Sequence, residues 1–276
     1  MTRRIILVTL AAAILVPFTI GQPASAARLP AGWSTCVPRQ IDYQGIYRYD
    51  NDLFAGKAGP SCITVRDGIL WINSSYGYQA GGVVADPLIR VGPWYTSLDP
   101  RSGLPYRTEA RKPWYADARV LGNATGHWLA DIESWYYPSR DTNEHGNAEV
   151  VIAVRWNGWE QAPPGPQWTI IRVDHQAWYA DHWTARYDGF SWPLTVLVPA
   201  WRIAWQAPGS LLSVRLPLII WHLRLLGWMP AREWLGNVAL QAECWSGCKG
   251  LGLQLQIVRT AVPPPVPVIE PPPPGS

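Results

Sequence analysis

Short segments rich in Val, Ile, Trp, Tyr and Thr recur along the chain, with Gly, Pro, Asn and Asp between them. These are the residues of pleated sheets and of the turns that join them. The pattern predicts strands over Gly45–Tyr49, Ser61–Arg66, Ile69–Ser75, His127–Tyr137, Ala148–Trp156, Gln167–Val173, His175–Ala180, His182–Tyr187, Trp192–Ala200, Val238–Trp245 and Leu253–Arg259. Asp174, Asp181 and Asp188 read as turn residues. No internal repeat and no strand–helix–strand alternation is visible. One segment has a helical period: Leu218, Trp221, His222, Leu225 and Met229 recur at three and four residues, with Pro217 near the first turn and Gly227 or Pro230 at the end. The expected architecture is all-β: a two-sheet antiparallel β-sandwich with one helix packed on an outer face.

Two predicted strands carry carboxylates in apolar surroundings. In Ala148–Trp156, alternation puts Val150, Ile152, Val154 and Trp156 on one face and Glu149, Val151, Ala153 and Arg155 on the other. In Val238–Trp245, Val238, Leu240, Ala242 and Cys244 share a face, opposite Ala239, Gln241, Glu243 and Trp245. A glutamate two residues from a glutamine and two from a tryptophan suits a cleft lining, and apolar packing from Trp245 would raise its pKa, as a general acid requires. Each glutamate taken alone also fits a solvated strand face. Asp131 sits mid-strand, where a charge needs a partner, and could support one of the two glutamates.

The chain ends have a different composition. Residues 1–26 read as a secretory signal peptide: Arg3 and Arg4, an apolar run from Ile5 to Ile20, then Ala24-Ser25-Ala26. Residues 261–276 form a proline-rich tail, which cannot build a packed core. The single domain expected over 27–260 has about 235 residues, a normal size for one all-β unit. This predicts a secreted protein with no membrane association after signal cleavage.

The net charge of +3, without a Lys/Arg run, argues against nucleic acid as a partner. Aromatic usage points elsewhere: 18 Trp and 12 Tyr stand beside only 3 Phe. Rings with a polar edge suit half-wet surfaces and the faces of sugars, though Trp also fills large β-cores. Four cysteines follow the leader, so three disulfide pairings are open. The local ones, Cys36 with Cys62 and Cys244 with Cys248, are preferred. Cys244-Trp245-Ser246-Gly247-Cys248 comes near metal-ligand spacing, but Cys36 and Cys62 supply no C-x-x-C partner, so neither metal nor cofactor is expected. There is no G-x-S-x-G, phosphate loop or H-E-x-x-H motif, and the five histidines are scattered.

In this order the segments resemble glycoside hydrolase family 12, over roughly residues 35–260. Cys36 and Cys62 match its N-terminal cysteine pair, and Tyr49-Asp50-Asn51-Asp52-Leu53-Phe54 is similar to its Asn-Asn-x-Trp substrate-binding segment. Ala85-Asp86-Pro87-Leu88-Ile89, with Gly92 and Trp94, resembles its Tyr-Pro stretch, and Ser102-Gly103-Leu104-Pro105 also fits. Asp131-Ile132 resembles its Asp-Ile strand, Glu149-Val150-Val151-Ile152 its Glu-x-Met-Ile nucleophile strand, and Gln241 to Gly247 its Gly-Phe-Glu-x-Trp-x-Gly segment. The departures are Phe54 for Trp, Val151 for Met, Ala153 for Trp, Ala242 for Phe and Cys248 for Gly.

The resemblance implies a jelly roll with a concave cleft and a monomeric endo-β-1,4-glucanase acting by the retaining route on a β-glucan polysaccharide. Glu149 would be the nucleophile, Glu243 the acid/base, and Asp131 the support beside Glu149. Asn51, Asp52, Phe54 and Trp245 would hold sugar rings. The alternative is a carbohydrate-binding cell-surface protein on the same scaffold, which the altered aromatics and the proline tail favour.

Overall fold

The computed structural model describes residues 32–37, 40–43, 46–53, 61–74, 83–93, 104–108, 114–140, 146–187 and 189–258. The expected signal peptide, the proline tail, Phe54, Trp94 and Asp188 lie outside the described residues.

Among the described residues, sixteen strands form two sheets. The smaller has the order β1 (Trp33–Thr35), β4 (Ile63–Arg66), β5 (Ile69–Ile72), β16 (Gly252–Val258), β8 (Tyr115–Leu121), β14 (Leu212–Arg215). The larger runs β11 (Thr169–Val173), β12 (Gln176–Tyr187), β13 (Phe190–Pro199), β10 (Ala148–Asn157), β9 (Trp128–Tyr137), β15 (Trp234–Cys244), β6 (Ala85–Val91), β3 (Tyr47–Leu53), β2 (Gln40–Tyr43), with β7 (Tyr106–Arg107) paired to β15. All pairs are antiparallel except β10 with β13. The expected strands at His175–Ala180 and His182–Tyr187 are one strand, β12: Asp181, expected in a turn, faces Val196 in mid-ladder. Asp174 does turn the chain, with His175, both at positive φ between β11 and β12.

One core lies between the sheets. Ile63, Val65, Leu70 and Ile72 from the smaller sheet meet Ile89, Ile132, Ile152 and Leu240 from the larger, all essentially inaccessible. The helix is α2 (Leu216–Leu225), begun by Pro217 in its first turn. Its Leu216, Ile219, Ile220 and Leu223 join the same core as Ile171, Val173 and Leu197 of the larger sheet. A second, five-residue helix, α1 (Ala200–Ala204), follows β13. No helix among the described residues is long and apolar enough to cross a membrane.

The disulfides are Cys36–Cys62 and Cys244–Cys248. The second pins the chain where it leaves β15, and Gly247 inside its loop has no room for a side chain. Its φ is +88°, and an added Cβ would stand 1.7 Å from the Thr125 carbonyl oxygen. Backbone at such a site must move to accept even a methyl group. Gly247→Ala is therefore expected to cost about 2–4 kcal/mol, read as a lower midpoint in denaturant melts. An unchanged midpoint would contradict this close packing.

Candidate active site

Each central strand of the larger sheet has two unlike faces. On β9, Ala130, Ile132 and Tyr136 enter the core, so Asp131, Glu133 and Trp135 point away from it. On β10, Ala148, Val150, Ile152 and Val154 are core, leaving Glu149 on the open face. On β15, Val238, Leu240, Ala242 and Cys244 are core, leaving Gln241 and Glu243. Asp86 and Arg90 of β6 follow the same rule, since Ala85, Ile89 and Val91 are core. The two glutamates singled out in the sequence thus share one face, on the two strands that flank β9.

Register places them along β9. Glu149 lies opposite Trp135, and Glu243 opposite Leu129. Between these points β9 presents Glu133 and then Asp131. Although they face away from the core, Asp131 is 0% exposed, Gln241 3%, Glu133 6% and Asp86 8%. The open face is therefore recessed here.

Taking carboxylates out of water favours their neutral forms. Burial, then the Glu133 charge, pushes Glu243 up from 4.5 to about 7. Burial raises Glu133 to about 7 as well, against the Trp135 indole, the Arg90 guanidinium and the Gln241 amide. Glu149 is pushed well up by burial and by Glu133, while the Trp192 indole opposes the rise and Glu243 adds to it. Asp86 is raised by burial and by Glu243. Arg90, the guanidinium beside Glu133, is lowered to about 10 by burial and by Arg48.

Glu133 and Glu149 are diagonal neighbours across the β9–β10 ladder and each shifts the other's pKa. Two indoles hold the pair: Trp192 Nε1 donates to Glu149 Oε2 at 2.7 Å, and Trp135 Nε1 donates to Glu133 Oε1. The two rings lie 5.4 Å apart. On the far side, half-buried Trp245 packs with Trp156, Trp159 and Trp168 over Leu129, Ala153 and Val198. A carboxyl near 7, a second carboxyl held by an indole beside a third, and aromatic walls on both sides can together donate a proton, attack or activate water, and grip a flat apolar ring face.

The expected site residues distribute unevenly. Glu149, Glu243, Asp131 and Trp245 are brought together. Asp52 lies on the open face of β3, exposed, with Asp86 opposite. Asn51 is turned the other way: it is 0% exposed, its amide donates to the Val37 and Ser61 carbonyls, and its carbonyl accepts from Ser61 Oγ. That places it within the fold rather than on the open face. Asp131 was expected beside Glu149, but the carboxyl that meets Glu149 is Glu133. Asp131 lies one step further along β9, where Glu243 is its strongest charged neighbour. Glu133, Trp135, Trp192 and Asp86 were missed. Glu133 and Trp135 had a usable signal, since they follow Asp131 at spacings of two on the same predicted strand. The Trp192 contact depends on pairing across the sheet and left no local trace.

The raised Glu243 group has a consequence for stability. A carboxyl whose folded pKa exceeds its unfolded one binds its proton more tightly in the native state, so it stabilises below the unfolded value and loses that contribution as pH rises through the folded one. For Glu243 the window runs from about 4.5 to about 7. Glu243→Gln is therefore expected to gain stability over the parent on the order of 1–3 kcal/mol above that window and to match it below. Denaturant melts at the two pH values test this, and a gap independent of pH would contradict it.

No family model matches the sequence, and no curated protein matches it. Solved structures do. The endoglucanase cel12A from Rhodothermus marinus superposes with a TM-score of 0.68 at 23% identity, covering 82% of this chain and 98% of that one. A metagenome-derived glycoside hydrolase family 12 endoglucanase gives 0.67 at 24%, over 83% and 97%. A family 12 xyloglucanase from Bacillus licheniformis gives 0.68 at 14%, over 83% and 99%. The sandwich described above is thus the fold of the family 12 glycoside hydrolases.

Proposed function

We propose that this chain is a secreted glycoside hydrolase that cleaves β-1,4-linked glucan within the polysaccharide by a retaining double displacement. The observation that carries the reading is that Glu149 and Glu243, far apart in sequence, share one recess on the two strands that flank β9, where the Glu243 charge acts on Glu149. Similarity to endoglucanases and to a xyloglucanase supports β-glucan as the substrate class.

Glu149 is the nucleophile. It attacks the anomeric carbon as an anion, after giving up the proton that burial and the neighbouring carboxyls favour on it, with the Trp192 indole holding Oε2. Glu243 is the acid/base: burial keeps it protonated up to about 7, so it can protonate the departing glycosidic oxygen. In the second half-reaction the ionised Glu243 takes a proton from water, which opens the glycosyl-enzyme ester and frees Glu149. Trp245 on one side and Asp52 on the other bind sugar rings by stacking and hydrogen bonds, and the resemblance gives Phe54 the same role. Asn51 supports this segment from the core side.

Glu149→Gln and Glu243→Gln are each expected to lower the release of reducing ends from soluble β-glucan by roughly 10²-fold or more while leaving the melt cooperative. The product first formed keeps the β-configuration in proton NMR, and kcat/KM falls as pH rises through about 7. An α-anomer as first product would refute the double displacement. Full activity in both variants would refute the site. Binding of glucan without hydrolysis by the parent protein would favour the carbohydrate-binding reading.

A further inference from the structure

Asp131 is unlike the other carboxyls of the recess in one respect: neither of its oxygens has a hydrogen-bond partner among the described residues. It is also inaccessible to solvent. Directly across the β9–β15 ladder stands Gln241, whose Oε1 is likewise buried and without a partner. Side chains directly opposite in an antiparallel pair have Cβ atoms about 4.5–5.5 Å apart. An ionised carboxylate and an amide oxygen are both acceptors only, so facing each other in a dry recess they repel. One proton on the carboxyl turns that repulsion into an O–H···O bond.

The other end of Gln241 fixes which way it faces. Glu133 is the diagonal neighbour of Gln241 on the same ladder and is lowered by its amide, and only the Nε2 end can donate to a carboxylate, so Oε1 is the end left for Asp131. The groups around Asp131 also favour a neutral acid. Glu243 of β15, Asp86 of β6, Glu133 of β9 and Glu149 of β10 all press on it with negative charge. Beyond Asp86 lie Asp50 and Asp52 of β3. The cations of this face, Arg90 of β6 and Arg48 of β3, lie toward Asp50 and Glu133.

We infer that Asp131 is a neutral carboxylic acid at the working pH and donates its proton to Gln241 Oε1, as the first link of a hydrogen-bond chain that runs through Gln241 and Glu133 to Glu149. It is a positioning residue. Its proton holds the Gln241 amide with Nε2 toward Glu133, which keeps Glu133 seated against Glu149. Were Asp131 ionised, Gln241 would be driven to turn over and to present an oxygen to Glu133. The protonation of Asp131 stands on packing alone, whereas its effect on turnover rests on the proposed role of Glu149.

Infrared difference spectroscopy of the parent protein against Asp131→Asn tests the first part without any substrate. Near neutral pH the parent is expected to show a C=O stretch of a neutral carboxylic acid that the variant lacks. Loss of carboxylate bands instead would overturn the inference. For the second part, Asn supplies an N–H donor where the acid supplied O–H, so Asp131→Asn should keep kcat within about threefold, with an unchanged pH profile. Asp131→Ala should lower kcat about tenfold or more at little change in KM. Equal losses in the two variants would overturn the chain, as would a kcat unaffected by Asp131→Ala. A protein inactive on every glucan but showing the neutral-acid band would refute the role of Glu149 and leave the protonation standing.

Discussion

Five carboxyl groups are packed on one face of one sheet, Asp86, Asp131 and Glu133 almost out of reach of water and Glu149 and Glu243 half-buried. That is the constraint on which the rest of the site depends. Five anions could not share this space, since desolvation and mutual repulsion each favour the neutral forms. The structure meets the constraint with raised pKa values and with donors: two indoles reach Glu133 and Glu149, and the Arg90 guanidinium offsets part of the charge on Glu133. Glu133 and Glu243, pushed up to about 7 among three further carboxyls that are also raised, suit acid–base work near that pH. The chemistry proposed for Glu149 and Glu243 is thus a consequence of where the sheet hides them.

The hiding depends on the core behind. β9 is paired along its whole length on both sides, so its alternation is rigid: every second residue is held by the sandwich core and the ones between are presented to the recess. A shift of one residue in either pairing would send the carboxyls into the core and Ile132 into the cleft. The Cys244–Cys248 disulfide and the close approach of Gly247 to Thr125 hold the end of β15 next to Glu243 and Trp245. The helix α2 completes the core under β11–β13, away from the chemistry.

Much of this was legible in the sequence where the controlling signal was local. The face assignments of Glu149 and Glu243 follow from period-two alternation in Ala148–Trp156 and Val238–Trp245, and both hold. The helix shows in its three- and four-residue spacing, although it starts at Leu216 and ends at Leu225, short of Met229. β6 was harder to read as a strand because Asp86, Pro87 and Arg90 interrupt its apolar run; the polar members line the recess instead of meeting solvent. β12 looked broken at Asp181 because aspartate in mid-strand is unfavourable unless one face is open.

What could not be read was register. Asp131 and Glu133 lie two apart on one strand, on one face, in near-identical local settings. Only the pairing of β9 with β10 decides that Glu133 meets Glu149 and that Asp131 faces Gln241 and Glu243 instead. Asn51 failed for a related reason: it alternates with Asp50 and Asp52, and the core-side position fell to it.

In the proposed mechanism Glu149 forms a covalent bond to the sugar. A 2-fluoro cellobioside carrying an activated leaving group slows the second displacement and should trap that ester. Peptide mass spectrometry is expected to find the fluorosugar on the peptide that holds Glu149, and to find none in Glu149→Gln. Label on another carboxyl, or turnover of the probe with no ester formed, would contradict the account.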